Sequence, residues 1–441
     1  MDADPPQYSR SSTAYCRHSS SARRSTRPPT EHVYQLTNAK SWPWLTLKLM
    51  SNAPSSSYLP AFYRGEEIAG CVSERQSLQS ILARMTSSAT DVFNFLQASE
   101  VLWPQLATSE VSASRVRGLK LVGEHIWPFC LRFPEQCHLR SPNGPTESYP
   151  LPASFSERMA RVHIQYQVVV TVCRGNFDLG SVVGYCPVIR PVAPSIARQI
   201  AYMENSPLIG PEGDPEGWRC LEALRVHRSV FSTLTVEATC TLALAKPLCY
   251  TRGSVIPCLM TIETTDPQAL DLLSAPRSPL VRLLRRISTQ EATAGSVGAK
   301  KLPGLAYEST VQKVVTTAVW WAEHARDPRS PHQRTLHGEI HLSSALKPSC
   351  LLGKFELSVS SPMSIFAPHA GYPGHAQYSV AVYPPRAVAF LPDGGAEAVL
   401  QQEPVVVGTV YAAGPRPRIN SPPGYGDASS TGQTSEFRLF R

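Results

Sequence analysis

Residues 162–172 read VHIQYQVVVTV. Val162, Ile164, Tyr166, Val168, Val170 and Val172 are apolar, with His163, Gln165, Gln167 and Thr171 set between them. A period of two fits a strand with one buried face and misfits a helix, whose faces recur every ~3.6 residues. The alternation returns in VFSTLTVEATCTLALA (230–245), where Leu234, Val236, Ala238, Cys240, Leu242 and Leu244 alternate with Thr233, Thr235, Glu237, Thr239 and Thr241. WPFCLRFP (127–134) and GEEIAGCVSE (65–74) are shorter strand candidates. Strands recur along the chain with Pro and Gly between them, which predicts antiparallel β-sandwiches. Composition agrees, with 40 Pro and only 17% charged residues in a chain rich in Val, Thr and Ser.

One helix stands apart. PSIARQIAYME (194–204) follows a Pro and sets Ile196, Ile200 and Met203 on one face, which is expected to pack on a sheet. PLIGPEGDPEGW (207–218) reads as a loop. A second strand set begins at YTRGSVIPCLMTIET (250–264) and runs through PLVRLLRRIS (279–288). After a low-complexity break at 289–304, strands resume with STVQKVVTTAVWWAE, RTLHGEIHL, CLLGKFELSVS, QYSVAVYP and EPVVVGTVYA.

Residues 1–32 contain no Val, Ile, Leu, Phe or Trp, too few apolar groups to offset the entropy of ordering the chain. The reading is therefore all-β: a disordered tail over 1–42, one sandwich over 43–249, a second over 250–413 and a disordered tail over 414–441.

The net charge of +8 is spread along the chain and gathers in no basic block, which argues against nucleic acid as a partner. Weak attraction to an anionic membrane surface fits at least as well. Eleven cysteines without a CxxC, mostly in apolar runs, read as reduced and buried thiols. The N-terminus lacks the apolar core of a signal peptide, and no apolar run reaches the ~18 residues of a spanning helix.

The chain has no GxSxG elbow, no GxxxxGK[ST] phosphate loop, no GxGxxG after a strand and no HExxH. His332, His337 and His341, like His369 and His375, lack carboxylate or cysteine partners at zinc spacing, so no metal and no cofactor is expected. Asp266, Asp271 and Glu263 read as solvated acids, and Cys137 beside His138 does not make a nucleophile–base pair. No catalytic constellation emerges.

The tails carry the sharper signal. Pro5-Pro6-Gln7-Tyr8 and Pro422-Pro423-Gly424-Tyr425 both spell PPxY. A shuffled chain of this composition yields roughly 0.13 such matches. Two prolines bias the backbone to polyproline II, so little ordering entropy remains to lose, and the tyrosine ring adds an anchor one turn on. WW domains read ligands of this kind. Pro5, Pro6, Tyr8, Pro422, Pro423 and Tyr425 are thus the candidate WW-binding residues.

The folded part resembles the arrestins, of the alpha-arrestin kind. The stretches that carry the resemblance are LPAFYRGEEIAGCVSE (59–74), SLQSILARM (77–85), WPFCLRFP followed by YPLPASFSERMARVHIQYQVVVTV (149–172), CYTRGSVIPCLMTIE (249–263) and LHGEIHLSSALKPSCLLGKFELSV (336–359), in that order. They span roughly residues 43–412. The resemblance implies two tandem immunoglobulin-like sandwiches, the arrestin fold. It also implies an adaptor that joins cytosolic segments of membrane transporters or receptors to a WW-domain, HECT-type ubiquitin ligase, promoting ubiquitination and endocytosis. The expected location is cytoplasmic, peripherally at the plasma membrane or endosomes. An arrestin-fold trafficking or signalling scaffold without a ligase is the alternative. The Arg/Asp polar core of visual and beta-type arrestins is not located in this sequence, and phosphate sensing is not carried over.

RRST (23–26) and RRIS (285–288) place hydroxyls behind paired arginines, which makes Ser25, Thr26 and Ser288 candidate phosphorylation sites. Lys300 and Lys301, two of nine lysines, fall in the low-complexity break and are candidate ubiquitination sites.

Overall fold

The computed structural model describes residues 28–74, 81–89, 95–103, 124–140, 146–156, 163–172, 177–230, 234–291, 307–322, 331–349, 378–386, 390–391 and 398–422. The first part of the chain forms β1 (Thr30–Thr37), β2 (Pro43–Ser51), β3 (Ala61–Tyr63), β4 (Glu67–Glu74), β5 (Ile81–Ala89) and β6 (Gln97–Trp103). It continues through β7 (His125–Arg132), β8 (Gln136–Arg140), β9 (Thr146–Pro150), β10 (Phe155–Ser156), β11 (His163–Val172) and β12 (Phe177–Cys186). One sheet has the order β1-β2-β4-β7, and a second has β3-β12-β11-β5-β6 with β10 on β11. β8 and β9 pair as a separate hairpin.

The alternation in β11 decides how these sheets meet. Ile164, Tyr166, Val168, Val170 and Val172 are all buried, each at most 2% exposed. They join Leu45, Leu47 and Leu49 of β2, Ile68 and Val72 of β4, and Phe129 and Leu131 of β7 in one core. The first two sheets therefore face each other across a shared apolar layer, in β-sandwich-like fashion. Each fully buried large side chain contributes about 1.5–3 kcal/mol of transfer free energy. Tyr166 is fully buried yet keeps its polar end satisfied, since its hydroxyl donates to the Pro152 carbonyl at 2.7 Å. Its ring meets those of Phe95, Phe133 and Tyr185.

After α1 (Ile196–Glu204) and a single 3-10 turn at Pro215–Gly217 come β13 (Trp218–Cys220), β14 (Leu224–Val230), β15 (Leu234–Ala245), β16 (Cys249–Thr251) and β17 (Val255–Thr264). Next are α2 (Pro267–Leu273), β18 (Leu280–Glu291), β19 (Tyr307–Thr317), β20 (Val319–Ala322), β21 (Gln333–His341), β22 (Tyr378–Tyr383), β23 (Phe390–Leu391) and β24 (Gln401–Gly408). A third sheet runs β20-β21-β17-β15-β14-β23 with β13 on β15, and a fourth runs β16-β24-β22-β18-β19. A second core joins them, with Leu242, Leu244, Ile256, Met260 and Ile340 on one side and Val281, Leu283, Val380, Val405 and Val407 on the other. α2 adds Ala269, Leu270 and Leu273 to this core. Its cap is Asp266, whose carboxylate accepts from the Gln268 and Ala269 amides, so the residue read as a solvated acid starts a helix.

Three expected boundaries change. First, β1 lies inside the stretch 1–42 expected to be disordered. TEHVYQLT pairs with β2 along its length, from Thr30 opposite Ser51 to Thr37 opposite Pro43. Tyr34 and Leu36 pack on the first core, while buried His32 hydrogen-bonds Ser51 at 2.9 Å. An edge strand with one lightly apolar face can be held by its ladder, so composition over 1–32 placed the start of the fold too late. Second, β13, β14 and β15 fall within the stretch 43–249 expected to form the first sandwich, but they pair within the third sheet, β15 directly with β17. The change from one sheet pair to the next falls between Cys186 and Trp218. Alternation shows that β15 has a buried face and does not show which core it faces. Third, residues 414–422, expected to be disordered, are placed against the body as described below.

The two sheet pairs touch through a small set of groups. Ile287 of β18 joins the first core. The Arg285 guanidinium lies over the Phe155 ring, and the Lys347 ammonium donates to the Ser156 carbonyl at 2.7 Å.

Candidate docking site at the C-terminal strap

α1 forms as expected, but with its faces reversed. Ile196, Ile200 and Met203 are exposed, at 75%, 41% and 61%, while Arg198, Ala201 and Tyr202 are buried. Polar chemistry turns the helix. The Arg198 guanidinium donates to the Lys246 and Gly217 carbonyls, at 2.6 Å each, and lies 4.7 Å from the Trp218 ring centroid. Trp218 packs with Ala243, Ala245 and Leu259 on the outer face of the third sheet. Ser195 caps the helix, accepting from the Arg198 amide and donating to Asp214. Burial pushes the Tyr202 hydroxyl up to about 12, which keeps it neutral, and draws the Arg198 guanidinium down from its usual value.

Beyond β24 the chain becomes a strap over this region. The Thr409 and Val410 amides donate to the Ile189 carbonyl, and the Thr409 hydroxyl donates to Pro187. Arg190 donates to the Tyr411 carbonyl at 3.2 Å. Gly414 turns the strap at φ +101°, where L side chains are strained and a Cβ would crowd Gln199. Arg416 then folds back over the Tyr411 ring. A cavity of about 50 Å³ lies among Pro191, Arg198, Tyr202, Tyr250, Tyr411 and Pro417, with room for a water or two.

The strap ends on a carboxylate. Glu339 of β21 is 1% exposed, and its two oxygens accept from the Asn420 amide at 2.7 Å and the Ser421 amide at 3.2 Å. The His341 imidazole lies 3.5 Å from the same carboxylate and 3.3 Å from the Ser421 hydroxyl. Burial pushes the Glu339 carboxyl up, and the two amides and His341 act against that shift. Gly338 beside it leaves room for the buried Trp320 ring, which any Cβ would strike. Pro422, the first residue of the second PPxY motif, directly follows this contact and is half-buried.

Of the residues singled out in the sequence, Pro422 is thus held against the body. Ser288 lies within β18, paired with Thr310 of β19. Pro5, Pro6, Tyr8, Ser25, Thr26, Lys300, Lys301, Pro423 and Tyr425 lie outside the described residues, as do His369 and His375. Cys137 is buried in the first core, whereas His138 is exposed and bonds Ser148, so the two neighbours face opposite ways. Among the described residues, no group of three His, Cys, Asp or Glu is placed to hold a metal ion, and no helix is long and apolar enough to cross a membrane. Sequence reasoning missed Glu339. It sits in GEIHL, which reads as a strand, and its partners are backbone amides that no residue pattern advertises. Neither a family model nor a curated protein matches the chain.

Proposed function

We propose that this protein is an arrestin-like adaptor whose two PPxY motifs recruit a WW-domain, HECT-type ubiquitin ligase to membrane transporters or receptors, promoting their ubiquitination and endocytosis. The observation that carries the reading is the duplicated motif, at Pro5–Tyr8 and Pro422–Tyr425. Each contact is weak by itself, and tethering both to one ligase with several WW domains raises avidity by ~10²–10⁴ where the geometry allows. Two facing sheet pairs with separate cores, in sequence order, support a tandem immunoglobulin-like arrangement of the arrestin kind. The start of the second motif lies at the end of a strap fastened to the body, which suits a docking handle displayed at a defined place. In this reading the sheet bodies engage the cargo at the cytosolic side of a membrane.

Pull-down of WW-domain ligases by wild type, Tyr8→Ala, Tyr425→Ala and the double variant tests it. Each single variant is expected to retain part of the ligase and the double variant to retain none. Equal recovery by all four would leave the alternative, a trafficking or signalling scaffold without a ligase.

A further inference from the structure

We propose that Ser421 is a phosphorylation site and that a phosphate there unfastens the strap from Glu339. The sequence around it is Arg418-Ile419-Asn420-Ser421-Pro422. An arginine three residues ahead suits a basophilic serine kinase, and the proline directly after suits a proline-directed one. Both deliver the same chemistry. The Ser421 oxygen attacks the γ-phosphorus of ATP, the new O–P bond forms as the β–γ bridging bond breaks, ADP leaves, and the hydroxyl proton passes to the kinase's base.

The Ser421 amide donates to Glu339, and the Ser421 hydroxyl lies 3.3 Å from His341. Glu339 is buried, so its charge is poorly screened, and the Asn420 and Ser421 amides supply much of its compensation. A phosphate brings a charge of about −1.5 to −2 and must be accommodated within a few ångströms of that carboxylate. At such a separation like charges in a partly buried site repel strongly. One imidazole cannot offset both anions. The strap relieves the conflict by leaving, which exposes the Asn420 and Ser421 amides to water and frees Pro422 from the body. Ser421 is half-buried and Ile419 and Asn420 are exposed, so the acceptor lies at the outer end of the strap. Ser288, the other described candidate, sits instead within β18, in register with Thr310 of β19. The unfastening is independent of what the PPxY motif binds, and its consequence for WW docking rests on the function proposed above.

The test uses the full chain phosphorylated in vitro, in separate reactions, by a basophilic and a proline-directed kinase, with the product mapped by mass spectrometry. Hydrogen–deuterium exchange of a peptide covering 418–422 is then compared for phosphorylated and unmodified protein, in wild type and Glu339→Gln. Phosphate is expected to speed exchange at Asn420 and Ser421 about tenfold or more in wild type and far less in Glu339→Gln, where the opposing charge is gone. Ser421→Ala should remain unmodified and slowly exchanging. Failure of both kinases to modify Ser421 overturns the proposal. So does unchanged exchange in the phosphorylated chain, or equal acceleration in the two backgrounds. Loss of ligase pull-down is a separate readout, so failure of the adaptor reading and failure of the latch remain distinguishable.

Discussion

β11 and α1 both carry apolar side chains at the period of their own element, yet only β11 buries them. In β11 every second residue enters the first core, and the polar alternates have no competing claim on the interior. In α1 the stripe Ile196, Ile200, Met203 faces outward, because Arg198 on the opposite face has a better use for the inside. It supplies donors to two carbonyls and a cation to the Trp218 ring, while Ala201 beside it is small enough to allow close approach. A short helix can be fastened by one well-partnered guanidinium. A long strand in the middle of a sheet has no such freedom, since turning it over would bury a row of polar groups.

The largest loss of stability is expected in the strand. Tyr166→Ala removes a ring from the centre of the first core and leaves the Pro152 carbonyl unpaired. A loss of about 3–5 kcal/mol is expected in chemical denaturation. Arg198→Ala should cost about 3 kcal/mol, because two carbonyls lose charged donors, and Arg198→Lys should recover only part of it. If Arg198→Ala proves neutral, polar fastening does not orient α1. The smallest effect belongs to the exposed stripe. Ile196→Ser combined with Met203→Gln should change stability by no more than about 0.5 kcal/mol, and a loss of 2 kcal/mol or more would mean that this face is covered in solution.

The same contrast explains which parts of the fold could be read in the sequence. Alternation located β11 and β15 and the turn-rich composition gave the all-β class, because burial of one face writes a period into the chain. β1 leaves little trace in the sequence because its ladder does much of the holding, through backbone groups common to every residue. The assignment of β15 failed because a buried face does not name its partner. α1 was placed correctly and oriented wrongly, since its decisive contacts run to carbonyls far along the chain. The Glu339 contact was invisible for the same reason. The PPxY motifs, in contrast, are local side-chain patterns and were plain from the start.

Calorimetric titration of the full chain with a tandem WW-domain fragment measures bivalent docking through Tyr8 and Tyr425. Each single Tyr→Ala variant should bind at least ~10-fold more weakly than wild type, and the double variant should show no measurable heat. Binding of the double variant with wild-type affinity would contradict the account.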